Sequence, residues 1–362
     1  MKKEPYDIEQ INLMSWLRFP LIMGVVLAHC NLYAIISNLE GCTSEMPSWL
    51  VFIFNELYLI VLPARVPTLF IISGYFFFRT LNDKKANGQF FIDKYKKRVS
   101  SLLVPYLIWN CIAIAMLYVK YDIIEQTPLN FIDYLSGFWD FIPRAGFDPA
   151  NGPLWYMRDL MVITLMSPLV YVLINNKRTV YIYLSILSVL YATNICLPLV
   201  GFSNDAFLFF SIGAYIAIHN VNLTKISNKT GLIMLLLYIP SQLFFNRLEE
   251  NNQYIYVMYL IVSIIKITAV FYLVSLLFSK KILKPTPRLG KISFLLYALH
   301  GVIVNPIIMV LFKLSGYTDN PFLLLGIYIA TPIIIIVATQ LLYTTITKFT
   351  PGIAKAVTGN RG

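Results

Sequence analysis

The amino-acid sequence predicts an all-α, polytopic membrane protein of about ten transmembrane helices with its N and C termini cytoplasmic. Two observations predict it. Apolar runs long enough to cross roughly 30 Å of hydrocarbon recur along the chain, in a sequence of 362 residues that is 58% hydrophobic and 13% charged, against roughly 25% charged for a soluble domain. Lysine and arginine then collect in alternate intervening segments, the pattern left by the positive-inside rule. The mean hydropathy of +0.68 agrees. Helices are implied because the alternation of barrel strands is missing and lipid tolerates no unsatisfied backbone.

The expected spans are Leu13 to Ile36, Trp49 to Phe78, Leu102 to Val119, Leu154 to Ile174, Thr179 to Val200, Ala206 to His219, Gly231 to Phe245, Tyr254 to Phe278, Ser293 to Phe312 and Phe322 to Thr347. The first is read as a retained span, since no small-residue cleavage site follows it. The second exceeds one straight crossing and is expected to break at Pro63 and Pro67, around Arg65. The sixth is short. One membrane domain over residues 1–362 is expected, with no appended soluble domain and a multi-pass place in the inner (plasma) membrane.

Charge tests the layout independently, because hydropathy ignores its sign. With the amino terminus inside, 21 of the 29 Lys and Arg fall in inner segments and four outside (Lys120, Arg144, Arg247, Lys313), while Arg18, Arg65, Arg158 and Lys266 lie in spans. Eleven acids fall outside and five inside, with Glu56 and Asp159 in spans. An odd number of spans scrambles this separation. The net charge of +11 therefore follows from topology and contact with anionic membrane lipid, with no nucleic-acid partner. The inner loop from Arg79 to Arg98 is basic enough to receive a polyphosphate such as a coenzyme. The outer loop from Lys120 to Gly152, acidic and aromatic, suits either a sugar entrance or an interfacial helix. Cys30, Cys42, Cys111 and Cys196 are too scattered for a disulfide framework or a metal site. The glycosylation patterns at Asn222 and Asn228 fall in an inner loop and are discounted.

A charge in hydrocarbon costs roughly 2.5–3.5 kcal/mol on insertion scales, so each intramembrane ionisable group needs a cause. Arg18 and His29 are eleven residues apart, close to three helical turns, and so share a face about 16 Å apart along the axis. A deep histidine suits a general base, since its ordinary pKa of about 6.5 lets it take a proton near neutral pH. A histidine bonding between helices is the competing reading, and snorkelling to the inner headgroups accounts for Arg18 alone. Tyr297 lies one turn before a second deep histidine, His300, and the two can meet. Lys266 should have a partner, for which Glu56 and Asp159 are candidates. Ser73-Gly74 is compatible with close helix packing. His219, at the inner end of its span, is given no chemistry.

At these residues the chain resembles acyltransferase family 3, the integral membrane O-acyltransferases typified by O-acetyltransferases of bacterial surface polysaccharides. The resemblance runs through Arg18-FPLIMGVVLA-His29, VPTLFIISGYFFF from Val66, RVSSLLVPYLIWN from Arg98, GPLWYMRDLMV from Gly152 and LGKISFLLYALH, which ends at His300. Five segments in this order are specific where each alone is weak. Many members carry a second arginine where this chain has Ser101, and Lys96 and Lys97 are available in its place.

The resemblance implies that cytoplasmic acyl-CoA, usually acetyl-CoA, donates an acyl group to a hydroxyl of a surface or exported glycan or lipid-linked sugar, without a metal. Carried over, His29 becomes catalytic, as base or acyl carrier, with Arg18 its partner. Arg98, Lys97 and Ser73 fall on the coenzyme side, and Trp155, Tyr156, Tyr297 and His300 on the acceptor side. Two rivals remain: a transporter of a polar substrate, for which matching broken helices are lacking, and a membrane glycosyltransferase using Asp133, Asp140 or Asp148. Reporter fusions after residues 90 and 140 test the layout: residue 90 is expected inside and residue 140 outside, and an external residue 90 overturns it.

Overall fold

The computed structural model describes residues 5–30, 32, 46–62, 64–81, 86–139, 149–197, 199–248, 252–284, 287–317 and 319–360, and among them there is no strand. The principal helices are α1 (Pro5–His29), α2 (Ser48–Phe52), α3 (Arg65–Phe78), α4 (Gly88–Arg98), α5 (Val104–Tyr118), α6 (Phe131–Ser136), α7 (Trp155–Leu165) and α8 (Ser167–Asn175). They continue with α9 (Lys177–Ala192), α10 (Asn204–Ile218), α11 (Asn228–Phe245), α12 (Ile255–Ser279), α13 (Pro287–Leu314), α14 (Pro321–Phe349) and α15 (Pro351–Thr358).

Among the described residues, five stretches are single helices long and apolar enough to cross a membrane: Ile8–His29, Gly88–Ile124, Ile255–Ser279, Gly290–Leu314 and Pro321–Phe349. Gly152–Leu165 and Ser167–Asn175 make a sixth only as a pair bent by 61°, with Pro168 at the start of the second half. Six of the ten expected spans are thus carried by full-length or bent helices. The other four fall on broken or shorter helices that are not by themselves long and apolar enough to cross. The expected span from Trp49 is interrupted by a π-turn at Ile53–Leu57 and by a break before α3. The break is not at Pro67, as expected, because Pro67 stands in the first turn of α3, where a missing N–H costs nothing. Pro63 lies outside the described residues.

Two compact units make up the chain. The first takes residues Met1–Leu21, Leu59–Lys97 and Asp159–Gly290. Its centre is the crossing of α3 and α10, where backbone touches backbone. A Cβ on Gly74 would stand 2.1 Å from the carbonyl oxygen of Phe210, and one on Gly213 2.1 Å from that of Ile71. Small residues at facing positions are how apolar helices gain packing when lipid is as apolar as they are. Beyond the glycines, Phe77, Phe78, Phe90 and Phe210 pack edge and face with centroids 4.8–6.4 Å apart. Gln10 of α1 ties down the turn after α10, donating to the carbonyl of Val221 at 3.3 Å and accepting from the N–H of Leu223 at 2.8 Å. His219, which the sequence left without chemistry, bonds the carbonyl of Ile174 through Nε2 at 2.9 Å, capping the end of α8.

The second unit takes Ile22–Tyr58, Arg98–Arg158 and Lys291–Gly362. In it the indole N–H of Trp109, on α5, donates to the carbonyl of Val357 at 3.0 Å, which docks α15. The Phe54 ring lies 4.9 Å from that of Tyr328 of α14, tilted by 43°.

Gly213→Leu is expected to destabilise the first unit at or above the usual 1–3 kcal/mol of an overpacked core, since backbone cannot yield as a side chain does. Thermal unfolding in detergent checks it, with the outward-facing Leu236→Ala, a residue 75% exposed, as the neutral comparison.

Candidate functional site

The site is built in the second unit on α13, the turn before α7, and the last residues of α1. α13 buries Ser293 to Ala298 almost completely and His300 fully. The Nδ1 of His300 lies 3.2 Å from the carbonyl of Leu296, one turn back. A carbonyl only accepts, so Nδ1 carries the proton and Nε2 of the neutral ring holds the lone pair. That nitrogen is buried and has no hydrogen-bond partner among the described residues. Against this ring lies His29, with centroids 5.2 Å apart and planes tilted by 49°. His29 is the last residue of α1 and is exposed. One imidazole is thus accessible and the other sealed behind it.

Tyr297 stands 5.9 Å from His300, centroid to centroid, and 6.1 Å from Tyr156. Its hydroxyl donates to the carbonyl of Pro153, so α13 holds the Asn151-Gly152-Pro153 turn from which α7 starts. Trp155 and Tyr156, both half-buried, open that helix. The turn is held from a second side as well. The side-chain amide of Asn151 donates to the carbonyl of Ala298 at 3.0 Å, and its backbone N–H donates to Oδ1 of Asn110 at 3.1 Å. Asn110 in turn donates to the carbonyl of Tyr106 at 2.9 Å. The Oδ1 of Asn151 is the second buried polar atom of this cluster without a partner among the described residues. A Cβ on Gly301 would fall 2.1 Å from that oxygen. The residue after the buried histidine must therefore be glycine for the turn to sit so close.

His29, Tyr156, Tyr297 and His300 are consequently brought together, and Trp155 precedes Tyr156 on α7. Arg98 belongs to the same unit, half-buried at the end of α4. Arg18, Ser73 and Lys97 belong to the first unit. There the Arg18 guanidinium lies 4.4 Å from the centre of the Phe76 ring, a cation–π contact one turn from Ser73. Lys97 is exposed on α4.

Asn110, Asn151 and Gly301 were missed in the sequence. Asn110 offered a signal, being a polar amide in the apolar run LIWNCIAIA, and the question asked of each intramembrane charge applied to it equally. Asp133 is not placed for sugar chemistry. Its carboxylate accepts the backbone N–H of Asn130 at 3.2 Å, closing the capping box that starts α6. Asp140 and Asp148 lie outside the described residues. In the same loop the Tyr134 hydroxyl donates to Asp122, and desolvation, followed by that carboxylate, pushes the phenol up to about 12.

Asn110→Leu should cost about 1–3 kcal/mol, because it leaves the buried N–H of Asn151 unpaired. Cys111→Leu, at the exposed neighbouring position, should stay within about 0.5 kcal/mol. Thermal unfolding of the two variants side by side measures the difference.

The succinoglycan biosynthesis protein ExoH of Rhizobium meliloti (strain 1021) is 32% identical over 225 residues, a stretch covering 59% of this chain and 55% of that protein. The match thus spans about half the length of the relative. No solved structure matches. The sequence model of the acyltransferase domain family matches residues 11–340, from before Arg18 to beyond His300, and the chain belongs to that family, acyltransferase family 3.

Proposed function

We propose that this protein is a membrane O-acyltransferase that moves an acetyl or other short acyl group from cytoplasmic acyl-CoA to a hydroxyl of a surface or exported glycan. The observation that carries the reading is the accessible His29 ring set against the buried, tautomerically fixed His300. Membership of the family supports the reaction class. The relative named for succinoglycan biosynthesis supports a polysaccharide acceptor. Ten spans with both termini cytoplasmic, in the inner membrane, complete the reading, and the sorting of charge supports that direction.

His29 takes the proton from the acceptor hydroxyl as its oxygen attacks the thioester carbonyl. The new C–O bond forms, the C–S bond breaks, and the proton passes from His29 to the departing thiolate. No metal or redox cofactor enters this balance. His300, with Nδ1–H committed to Leu296, presents Nε2 as an acceptor behind His29 and positions the reacting groups. Tyr156, Tyr297 and Trp155 offer the sugar aromatic faces. Arg98, Lys97 and Ser73 are assigned to the coenzyme side, and Arg18 to His29 as its partner on α1, all by the family resemblance. Burial of the thioester keeps competing water from it.

A positioned general base contributes roughly 10²–10⁴ in rate. His29→Ala should therefore lower release of coenzyme A from labelled acetyl-CoA, and transfer of label to glycan, by about that factor in purified protein. The exposed position of His29 lets the variant fold, and an unchanged melting temperature confirms it. Turnover equal to that of the unmodified protein sinks the mechanism, and failure to bind any acyl-CoA favours transport of a polar substrate instead.

A further inference from the structure

The first unit holds its cations in two ways. Lys266, in the middle of α12 and only 4% exposed, meets backbone oxygen. It donates to the carbonyl of Leu59, for which Pro63 four residues on has no N–H, and at 3.1 Å to that of Leu62. Backbone thus takes the place of the carboxylate expected from the sequence.

The cations around the end of α3 are held by aromatic faces instead. The guanidinium carbon of Arg18, from α1, lies 4.4 Å from the centre of the Phe76 ring, and that of Arg79 lies 6.0 Å from the same centre. Beside them the ammonium of Lys94 stands 5.3 Å from the centres of both Phe77 and Phe90. Arg18, Phe76 and Arg79 are all half-buried, so the group is reachable.

An aromatic face positions a cation through its quadrupole but does not neutralise it. Stacking also engages only the flat face of a guanidinium, whose N–H donors radiate from the edge. The edge of Arg79 has no hydrogen-bond or carboxylate partner among the described residues. The C-terminal end of α3, where Arg79 stands, favours one cation through the helix dipole. It gives no reason to bring a second, from another helix, to the same ring. Like charges this close repel, and an anion at the edge of Arg79 turns the repulsion into attraction. The planar fork of an arginine matches paired oxygens of a carboxylate or a phosphate. With Arg18 and Lys94 alongside, the more highly charged phosphate is the better fit.

We propose that Arg79, held by Phe76 beside Arg18, binds a phosphate group of the acyl donor and so selects a nucleotide-bearing coenzyme over a bare thioester. The proposal rests on the acyl-transfer reading above. Phe76 is a positioning residue, since it touches the cation and not the phosphate.

Two donors test it: acetyl-CoA, and S-acetylpantetheine, which carries the same thioester without phosphate. Release of thiol from each is followed at steady state with the purified protein in a neutral detergent. Arg79→Gln should raise KM for acetyl-CoA about tenfold or more, as loss of a charge-assisted hydrogen bond does. It should leave kcat, and KM for S-acetylpantetheine, unchanged. Phe76→Leu should raise KM for acetyl-CoA by a few fold, and Phe76→Tyr, which keeps the ring, should not. Arg178→Gln, which removes an exposed cation at the start of α9, should alter neither donor and so controls for overall charge. An Arg79→Gln protein with an unchanged KM for acetyl-CoA, or one impaired equally with both donors, overturns the proposal and leaves the acyl-transfer reading standing. An unmodified protein that turns over neither donor overturns both.

Discussion

Hydrocarbon offers no hydrogen bonds, and this single deficiency organises most of what is polar in the protein. Lys266 is satisfied by the carbonyls of the break before α3. His219 closes the end of α8, and Gln10 uses both ends of its amide on the turn after α10. In water each of these groups could stay unpaired at little cost. Buried without a partner, each would cost about 1–3 kcal/mol or more, so long apolar helices are held in register by a few polar contacts placed far apart in sequence.

The candidate site follows the same rule and then departs from it. Asn110, Asn151 and Tyr297 spend their donors on backbone carbonyls or on each other, which fixes the Asn151-Gly152-Pro153 turn against α13. The two atoms left over, Nε2 of His300 and Oδ1 of Asn151, are both acceptors and both buried in one unit. Buried acceptors without a partner are kept at a cost.

Glycine supplies the other constraint, which is closeness. At Gly74 and Gly213 it lets α3 and α10 touch through their backbones, and at Gly301 it lets an amide oxygen lie against α13. The second contact places Asn151 beside the residue that follows His300. The SG pair of VPTLFIISGYFFF thus has a packing role at its glycine, while Ser73 beside it remains half-buried and turned elsewhere.

Much of this was legible before any fold. Composition, apolar run length and the sorting of charge require no knowledge of which helix meets which, because each residue reports its own preference for lipid, water or the inner surface. Spacing along one helix was equally readable, and so the meeting of Tyr297 with His300 was foreseen from their separation by a single turn. The partner of Lys266, the contact of His29 with His300, and the grip of Asn110 on Asn151 were beyond it, since each joins residues tens to hundreds of positions apart. Sequence by itself determined that the chain is helical and membrane-embedded, because those are sums of local free energies, whereas of the two histidines expected to lie deep only His300 is buried and His29 is exposed at the end of α1. Only the tertiary structure decided which polar atoms were paired and which were left with a lone pair, because pairing depends on distances between helices that no local preference contains.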